Sequence, residues 1–408
     1  MKKIILLGGK PLYGEMTVSG SKNASLPILF ATLLTEGISV IDNLPDIGDV
    51  SSALSILESF GAKVISRDGT CYVDTRSLSY TEPGDAALSR LRASTYLIGA
   101  SLSRFGKVRL GKFGGCNFSR RPIDLHILAA EALGARRSDD FLLADSLTGG
   151  EINLSKPSVG ATVNSLLLAS GANGESRIRG FAREPHINAL IAFLRSAGAR
   201  ITVGDDEISV VGGRLHGGKI RIIGDTIEAG TYLSAALTTG GEVTVRGVSL
   251  DSISSFLDTV SRMGAEVSAT SLGVTVRRGA KSRPVSVRAE PYPGFPTDLQ
   301  PIIAAASATM SGGVIRDTVW QERFGYLDEL SAFGVRSQRM RGGCIVNPSA
   351  LHSASVACPD LRAGAACLLL ALSASGESTL SSADTLLRGY SSLEEKLRSL
   401  GAEVKITE

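Results

Sequence analysis

Leu400-Gly401-Ala402-Glu403-Val404-Lys405-Ile406 reads in three steps. An apolar-periodic helical segment ends at Leu400, and Gly401 supplies the left-handed residue that closes a helix. Glu403-Val404-Lys405-Ile406 then alternates polar with apolar, as a half-buried strand does. The phrase is one of six. It recurs as Phe60-Gly61-Ala62, Leu133-Gly134-Ala135, Ala197-Gly198-Ala199, Met263-Gly264-Ala265 and Phe333-Gly334-Val335, with successive glycines 73, 64, 66, 70 and 67 residues apart. A second phrase interleaves with it. Segments of small residues end at Gly37, Gly106, Gly174, Gly241, Gly313 and Gly376, spaced by 69, 68, 67, 72 and 63 residues. Each leads into an alternating run such as Ile38-Ser39-Val40-Ile41 or Glu242-Val243-Thr244-Val245. A repeat of about 67 residues with two helices and several strands is a layered αβ module, longer than solenoid repeats of roughly 20–50 residues. Six such modules divide into two domains of three. The glycines read as caps and inform the fold, not the chemistry.

Composition narrows the class. Of 408 residues 43% are hydrophobic, 5% aromatic and 20% charged, which excludes disorder. A net charge of +3, scattered along the chain, gives no nucleic-acid footprint. No apolar run approaches the roughly 20 residues of a membrane span. The opening Met1-Lys2-Lys3-Ile4-Ile5-Leu6-Leu7-Gly8 is too short in its apolar part for a signal peptide and reads as a first strand. Cys71, Cys116, Cys344, Cys358 and Cys367 are odd in number and widely spaced, with no CxxC, so neither a disulfide framework nor a zinc site is expected. A cytoplasmic enzyme is the default.

Function is expected where one repeat carries residues the other five lack. Ser19-Gly20-Ser21-Lys22-Asn23-Ala24-Ser25 opens the first helix, where serine caps and free N–H groups hold an anion beside Lys22. The bland alternative is a capped helix with an exposed lysine. Gly111 to His126 joins paired glycines, Cys116, Arg120 and Arg121 to an Asp124/His126 segment. Flexible, electropositive surroundings are those in which thiols react, whereas His126 alone reads as a structural histidine. Pro291-Tyr292-Pro293-Gly294-Phe295-Pro296-Thr297-Asp298 is a rigid approach to a helix start. Asp298 reads there either as an N-cap or as a base held at a cleft. Arg92, Arg323, Arg362 and Arg388 are dispersed near helix starts. Singly they are solvated charges; with Lys22 and Arg121 they suit a ligand carrying phosphate and carboxylate.

With these stretches, the motifs Leu91-Arg92-Ala93-Ser94, Gly114-Gly115-Cys116, Arg121-Pro122-Ile123-Asp124-Leu125-His126, Ser158-Val159-Gly160-Ala161-Thr162, Ala182-Arg183-Glu184-Pro185, Asp360-Leu361-Arg362-Ala363 and Arg388-Gly389-Tyr390 resemble, over essentially the whole chain, the UDP-N-acetylglucosamine 1-carboxyvinyltransferase family of enolpyruvyl transferases. The resemblance implies an α/β fold: a two-domain inside-out α/β barrel of six βαβαββ repeats, three per domain, around an interdomain cleft. It implies one domain over 21–225 with the cysteine loop, and a discontinuous one over 1–20 plus 226–408. It implies that Lys22, Asn23, Arg92, Arg121, Arg323, Arg362 and Arg388 bind phosphoenolpyruvate. Asn23, Arg92, Arg121, Pro122, Ile123, Asp124, Leu125, Lys156, Pro157, Ser158, Val159, Asp298 and Val319 would bind UDP-N-acetylglucosamine. Cys116, Asp298, Lys22 and Arg388 would be catalytic.

The chemistry so implied is addition then elimination, with Asp298 as base on the sugar hydroxyl and Cys116 as acid for C3 of phosphoenolpyruvate. It calls for no metal, no cofactor, no nucleic acid or membrane, and no obligate protein partner. Two stretches depart from the family pattern: Asn117-Phe118-Ser119-Arg120 is bulkier and more charged, and Gln321 precedes Glu322-Arg323-Phe324. Three alternatives therefore stand beside the first reading: a paralogue acting on another nucleotide, one acting on shikimate 3-phosphate, and a non-catalytic protein that binds sugar nucleotide.

Overall fold

The computed structural model describes residues 2–67, 69–111, 113–114 and 121–408. In all six helix-ending phrases the glycine takes a positive φ: +94° at Gly61, +95° at Gly134, +104° at Gly198, +101° at Gly264, +87° at Gly334 and +89° at Gly401. At Gly401 the N–H donates to Arg398 O at 2.9 Å, and the Ala402 N–H to Leu397 O at 3.0 Å. These two bonds satisfy carbonyls that a helix end leaves open, and the pair recurs at Gly61, Gly134, Gly198 and Gly334.

The second phrase needs a correction. Gly37, Gly106, Gly174 and Gly376 take positive φ, but in two repeats the left-handed residue is one position earlier, Gly240 at +82° and Gly312 at +77°. Adjacent glycines divide the work there: the first turns the chain, and the second admits a neighbouring backbone. A β-carbon built on Gly241 would stand 1.9 Å from Leu12 O.

The module resolves as strand, helix, strand, helix, strand, strand. Glu151–Asn153, Val159–Gly171, Glu175–Arg179, Pro185–Ser196, Arg200–Val203 and Glu207–Val211 show it whole. Its sheet pairs Glu151–Asn153 parallel to Glu175–Arg179, then Glu207–Val211 and Arg200–Val203 antiparallel. Register aligns Ile152, Ile178 and Ile208, all fully buried, while Arg179 and Glu207 turn to the wet face and pair there. That alternation gives an antiparallel sheet one dry face and one solvated face.

Three modules borrow a strand from far along the chain. Lys3–Gly8 lies between Gly376–Ser381 and Glu403–Thr407, antiparallel to both. Tyr13–Thr17 forms the parallel edge beside Glu242–Arg246, and Lys219–Arg221 the parallel edge beside Ile38–Asp42. Among the described residues the module of Lys107–Arg109, Arg136–Ser138 and Phe141–Leu143 has three strands and no parallel edge.

Contacts divide the chain into two units, one up to Ser19 and from Gly224 onward, the other Gly20–Ile223. Each has its own hydrophobic core. In the first, Thr226–Thr239, Gln300–Thr309 and Leu361–Ser373 pack against one another and are buried along nearly their whole length. A helix apolar all round belongs inside, and these are rich in alanine, glycine and serine, so their axes come close. The second helix of a module is amphipathic. Leu250–Arg262 buries Ile253, Phe256 and Val260, and touches both its own sheet and strand Val285–Ala289 of the next. Helices thus fill the centre of the unit and sheets form its wall. Where the chain leaves this unit, Lys396 Nζ bonds Ser19 Oγ and Glu228 Oε1, each at 2.6 Å, and Glu228 Oε2 accepts from Ser19 N at 2.7 Å.

The caps separate conformational strain from steric exclusion. A β-carbon on Gly401 would meet nothing within 4 Å, whereas one on Gly264 would stand 2.1 Å from Lys281 O. Gly401→Ala should cost about 1 kcal/mol, the strain of a side chain at positive φ. Gly264→Ala should cost at least twice that in urea unfolding; equal losses would contradict the packing described.

Candidate active site

In the Gly20–Ile223 unit, Ser21 precedes helix Lys22–Ala31, but its hydroxyl does not cap it. Its carbonyl instead accepts from Ser25 N at 2.9 Å and Ser25 Oγ at 2.8 Å, correcting the expectation of a serine cap. Lys22 Nζ reaches Asp49 Oδ2 at 3.1 Å, and both side chains are largely buried. Asp49 stands in the first turn of helix Gly48–Ser59, where a carboxylate suits the positive end of the dipole. Asn23, next to Lys22, is half-buried.

Arg92 opens a short 3-10 turn, Arg92–Tyr96, and its Nη2 donates to Arg121 O at 2.9 Å. Burial first, and then the Arg121 charge, push the Arg92 guanidinium down to about 10. Pro122 and Ile123 lead from Arg121 into helix Asp124–Ala132, with Asp124 and Leu125 in its first turn. Lys156 and Pro157 are exposed ahead of Ser158, which caps helix Val159–Gly171 by accepting from Ala161 N at 3.4 Å.

In the other unit, Asp298 lies in the turn Thr297–Leu299 before helix Gln300–Thr309 and makes no cap. Its Oδ1 accepts from Arg323 Nη1 and its Oδ2 from Arg362 Nη2, each at 2.7 Å. Both arginines are more than nine-tenths buried. Burial pushes the Asp298 carboxyl up, but the Arg362 and Arg323 charges outweigh it and hold the group well below the usual carboxylate range. The Asp298 charge in turn raises Arg362 against its own burial.

Three neighbours escaped the sequence reading. Asp317, buried at the end of strand Gly313–Asp317, accepts from Thr297 Oγ1 at 2.6 Å and fixes the turn through Val319 N and Trp320 N, each at 2.8 Å. It thereby places Val319, which is exposed. Asp225 caps helix Thr226–Thr239 by accepting from Ile227 N and Glu228 N. Asp49 is the third, the Lys22 partner. For Asp317 and Asp225 the signal was present, an aspartate at a strand end or just before a helix; for Asp49 nothing local distinguishes it. Arg388 is half-buried in the turn after helix Asp384–Leu387, two residues before Tyr390, whose hydroxyl meets Thr231 Oγ1 at 2.8 Å.

Cys116 and Asn117–Arg120 lie outside the described residues. The other four cysteines are buried, and burial raises every one of their thiols, Cys344 and Cys358 to about 11. Among the described residues no group of His, Cys, Asp and Glu converges as a metal site would.

The pattern of EPSP synthase (3-phosphoshikimate 1-carboxyvinyltransferase) matches residues 6–397. The chain belongs to this family. Within it, the chain is 39% identical over 412 residues to a UDP-N-acetylglucosamine 1-carboxyvinyltransferase of Halothermothrix orenii, covering 99% of each. It is 36% identical to one of Streptococcus pneumoniae, with both chains covered in full. The solved enolpyruvyl transferase NikO of Streptomyces tendae superposes with a TM-score of 0.90 at 27% identity, over 100% of this chain and 99% of that one. An EPSP synthase of Acinetobacter baumannii shares the fold, with a TM-score of 0.77 at 17% identity over the full length of both. The inside-out α/β architecture is thus that of the enolpyruvyl transferases, and the chain is an enzyme of that family.

The Asp298 clamp gives a signed pH effect. A carboxyl held below its unfolded value, near 3.9, stabilises the fold above that pH and loses its contribution as pH falls. Asp298→Asn should therefore be less stable than the parent by a gap that is full above about pH 4 and narrows below it. A gap unchanged from pH 6 to about pH 3 would contradict the clamp.

Proposed function

We propose that the protein transfers the enolpyruvyl group of phosphoenolpyruvate to the 3-hydroxyl of UDP-N-acetylglucosamine with release of phosphate, the first committed step of peptidoglycan synthesis. The full-length relatives at 36–39% identity carry that name. The observation that carries the reading is a set of buried and part-buried cations: two guanidiniums on Asp298, Arg92 lowered by burial and the Arg121 charge, and Lys22 largely buried beside Asp49. Such charge, preorganised in a water-poor place, stabilises an anion that carries phosphate and carboxylate.

The hydroxyl oxygen bonds to C2 of phosphoenolpyruvate while C3 takes a proton, giving a tetrahedral ketal phosphate. Loss of a C3 proton and of phosphate then yields the enol ether. Asp298 takes the hydroxyl proton. With both oxygens held by arginine it is a poor base, so an anionic substrate that draws Arg323 or Arg362 away raises its proton affinity. Substrate charge thus switches the base on. Cys116 gives the proton to C3, and Lys22, Asn23, Arg92, Arg121 and Arg388 hold the phosphoenolpyruvate. The stretch Arg121–Leu125, with Lys156–Val159, holds the nucleotide, and Val319 meets the sugar. Four buried thiols with no CxxC are in keeping with a reducing cytoplasm. Among the described residues no helix is long and apolar enough to cross a membrane.

Asn117–Arg120 and Gln321 favour one second reading, the same transfer to another nucleotide. Phosphate release from phosphoenolpyruvate across a panel of acceptors separates the two. Release should require UDP-N-acetylglucosamine; equal or faster release with shikimate 3-phosphate, or with a uridine nucleotide lacking the sugar, would contradict the proposal.

The buried thiols sharpen a second test. Cys116 should be alkylated before the other four, and a small phosphonate epoxide should inactivate through it. Cys116→Asp should keep some turnover and resist the epoxide, while Cys116→Ala should lose nearly all turnover and keep nucleotide binding. An alanine variant as fast as the parent would show that the C3 proton comes from elsewhere.

A further inference from the structure

Arg323 and Arg362 both hold Asp298, but they are not themselves held alike. Among the described residues the Arg362 guanidinium makes one hydrogen bond, from Nη2 to Asp298 Oδ2 at 2.7 Å. Arg323 Nη1 reaches Asp298 Oδ1 at 2.7 Å and is anchored besides, to Thr297 O at 3.2 Å and Thr297 Oγ1 at 3.3 Å. Its backbone is tied too, the Arg323 N–H donating to Trp320 O at 3.0 Å.

These contacts give the Thr297 hydroxyl a direction. A guanidinium only donates, so Thr297 Oγ1 accepts from Arg323, and its own proton goes to Asp317 Oδ2 at 2.6 Å. The other oxygen of Asp317 accepts from Val319 N and Trp320 N, each at 2.8 Å. One carboxylate, 1% exposed, therefore ties the turn that carries Asp298 to the loop that leads to Arg323.

The mount for that carboxylate is a sheet. Asp317 ends strand Gly313–Asp317, and its N–H donates to Gly342 O at 3.0 Å. Thr318 N and Oγ1 donate to Ala289 O, on the parallel neighbour, at 3.0 and 2.9 Å. Burial raises the Asp317 carboxyl, while its hydrogen bonds and the Arg323 charge act against that rise. A buried carboxylate is costly unless its lone pairs are filled. Here all three donors come from the two segments that carry the base and its arginine.

We propose that Asp317 is a positioning residue for the reaction: through the Thr297 hydroxyl it keeps Arg323 on Asp298 Oδ1, so that the carboxylate holds its aim when substrate draws Arg362 away. Asp317 touches no substrate in this scheme and acts through Thr297 and Arg323. The inference rests on the reading of Asp298 as base, and it gives Asp317 and Thr297 roles that neither the repeat nor the resemblance assigns.

Isosteric substitutions test it. Asp317→Asn keeps the shape but turns an amide N–H group toward Thr297. Thr297→Val keeps the shape without the hydroxyl, and Thr297→Ser keeps the hydroxyl. Phosphate release is followed for the parent, these three variants and the Asp317→Asn/Thr297→Val double variant, with phosphoenolpyruvate and UDP-N-acetylglucosamine each varied. Asp317→Asn and Thr297→Val should each lower kcat about 10- to 100-fold, the scale of a reacting group misplaced by about 1 Å, while KM for both substrates stays within about threefold. Thr297→Ser should stay close to the parent. The double variant should be no slower than the slower single variant, because both changes break one path.

A parent that releases phosphate, with Asp317→Asn and Thr297→Val equally fast, overturns this inference alone. So does a loss in Thr297→Ser equal to that in Thr297→Val, fully additive losses in the double variant, or a raised KM at unchanged kcat. If Asp317→Asn does not fold, the two Thr297 variants decide the same question. A parent that releases no phosphate with this pair of substrates overturns the proposed function and this role with it.

Discussion

Two guanidiniums share one carboxylate at Asp298, and both are buried. The three charges sit in a place where water screens little. A buried ion pair seldom adds stability beyond what a well-packed apolar cluster would give, so its presence is better explained by what it binds. In the proposed function, the anion is the substrate. In the other unit Arg92 donates to the Arg121 carbonyl, and burial and the Arg121 charge push its guanidinium down to about 10. The need to hold these charges rigidly explains the scaffolding around them. Asp317 pins the turn after its strand, Thr297 bridges Asp317 to the Asp298 turn, and Asp225 seals the helix start at the point where the chain re-enters its unit.

The fold supplies that rigidity by an unusual economy of side chains. Helices of alanine, glycine, serine and leucine pack together at the centre of the unit, and their starts carry charged side chains: Asp298 ahead of Gln300–Thr309, Arg362 at the start of Leu361–Ser373, and Asp225 at the start of Thr226–Thr239. In the Gly20–Ile223 unit, Lys22 and Ser158 stand at the starts of Lys22–Ala31 and Val159–Gly171. A buried helix start already needs polar partners for its unfilled N–H groups. In the proposed function, side chains at the same points hold the substrate, so one requirement serves both structure and function.

The periodic glycines made the αβ repeat legible because a left-handed cap leaves few alternatives to glycine, and all six do take positive φ. Where two glycines are adjacent, as at Gly240-Gly241 and Gly312-Gly313, the sequence cannot say which one turns; tertiary approach decides. Arg323, Arg362 and Asp298 were legible as charged residues that break the repeat, but their mutual contact was not. They are separated by 25 and 64 positions and meet only because the turn Thr297–Leu299, the loop after strand Gly313–Asp317 and the start of helix Leu361–Ser373 pack together. Asp49 was invisible for the same reason, since its role is defined by Lys22, 27 residues away. His126 was read as an ordinary structural histidine. Its ring meets Asn164, 38 positions on, at 2.6 Å, a contact that no local pattern encodes.

Where the three carbons of phosphoenolpyruvate go decides the reaction. The direct measurement is a carbon-13 spectrum of the protein turning over phosphoenolpyruvate labelled at C2, with UDP-N-acetylglucosamine present. The predicted product is an enol ether whose labelled carbon couples to the proton on C3 of the sugar, formed together with one equivalent of phosphate. Label recovered as pyruvate, or left in unreacted phosphoenolpyruvate while the sugar nucleotide is bound, would contradict it.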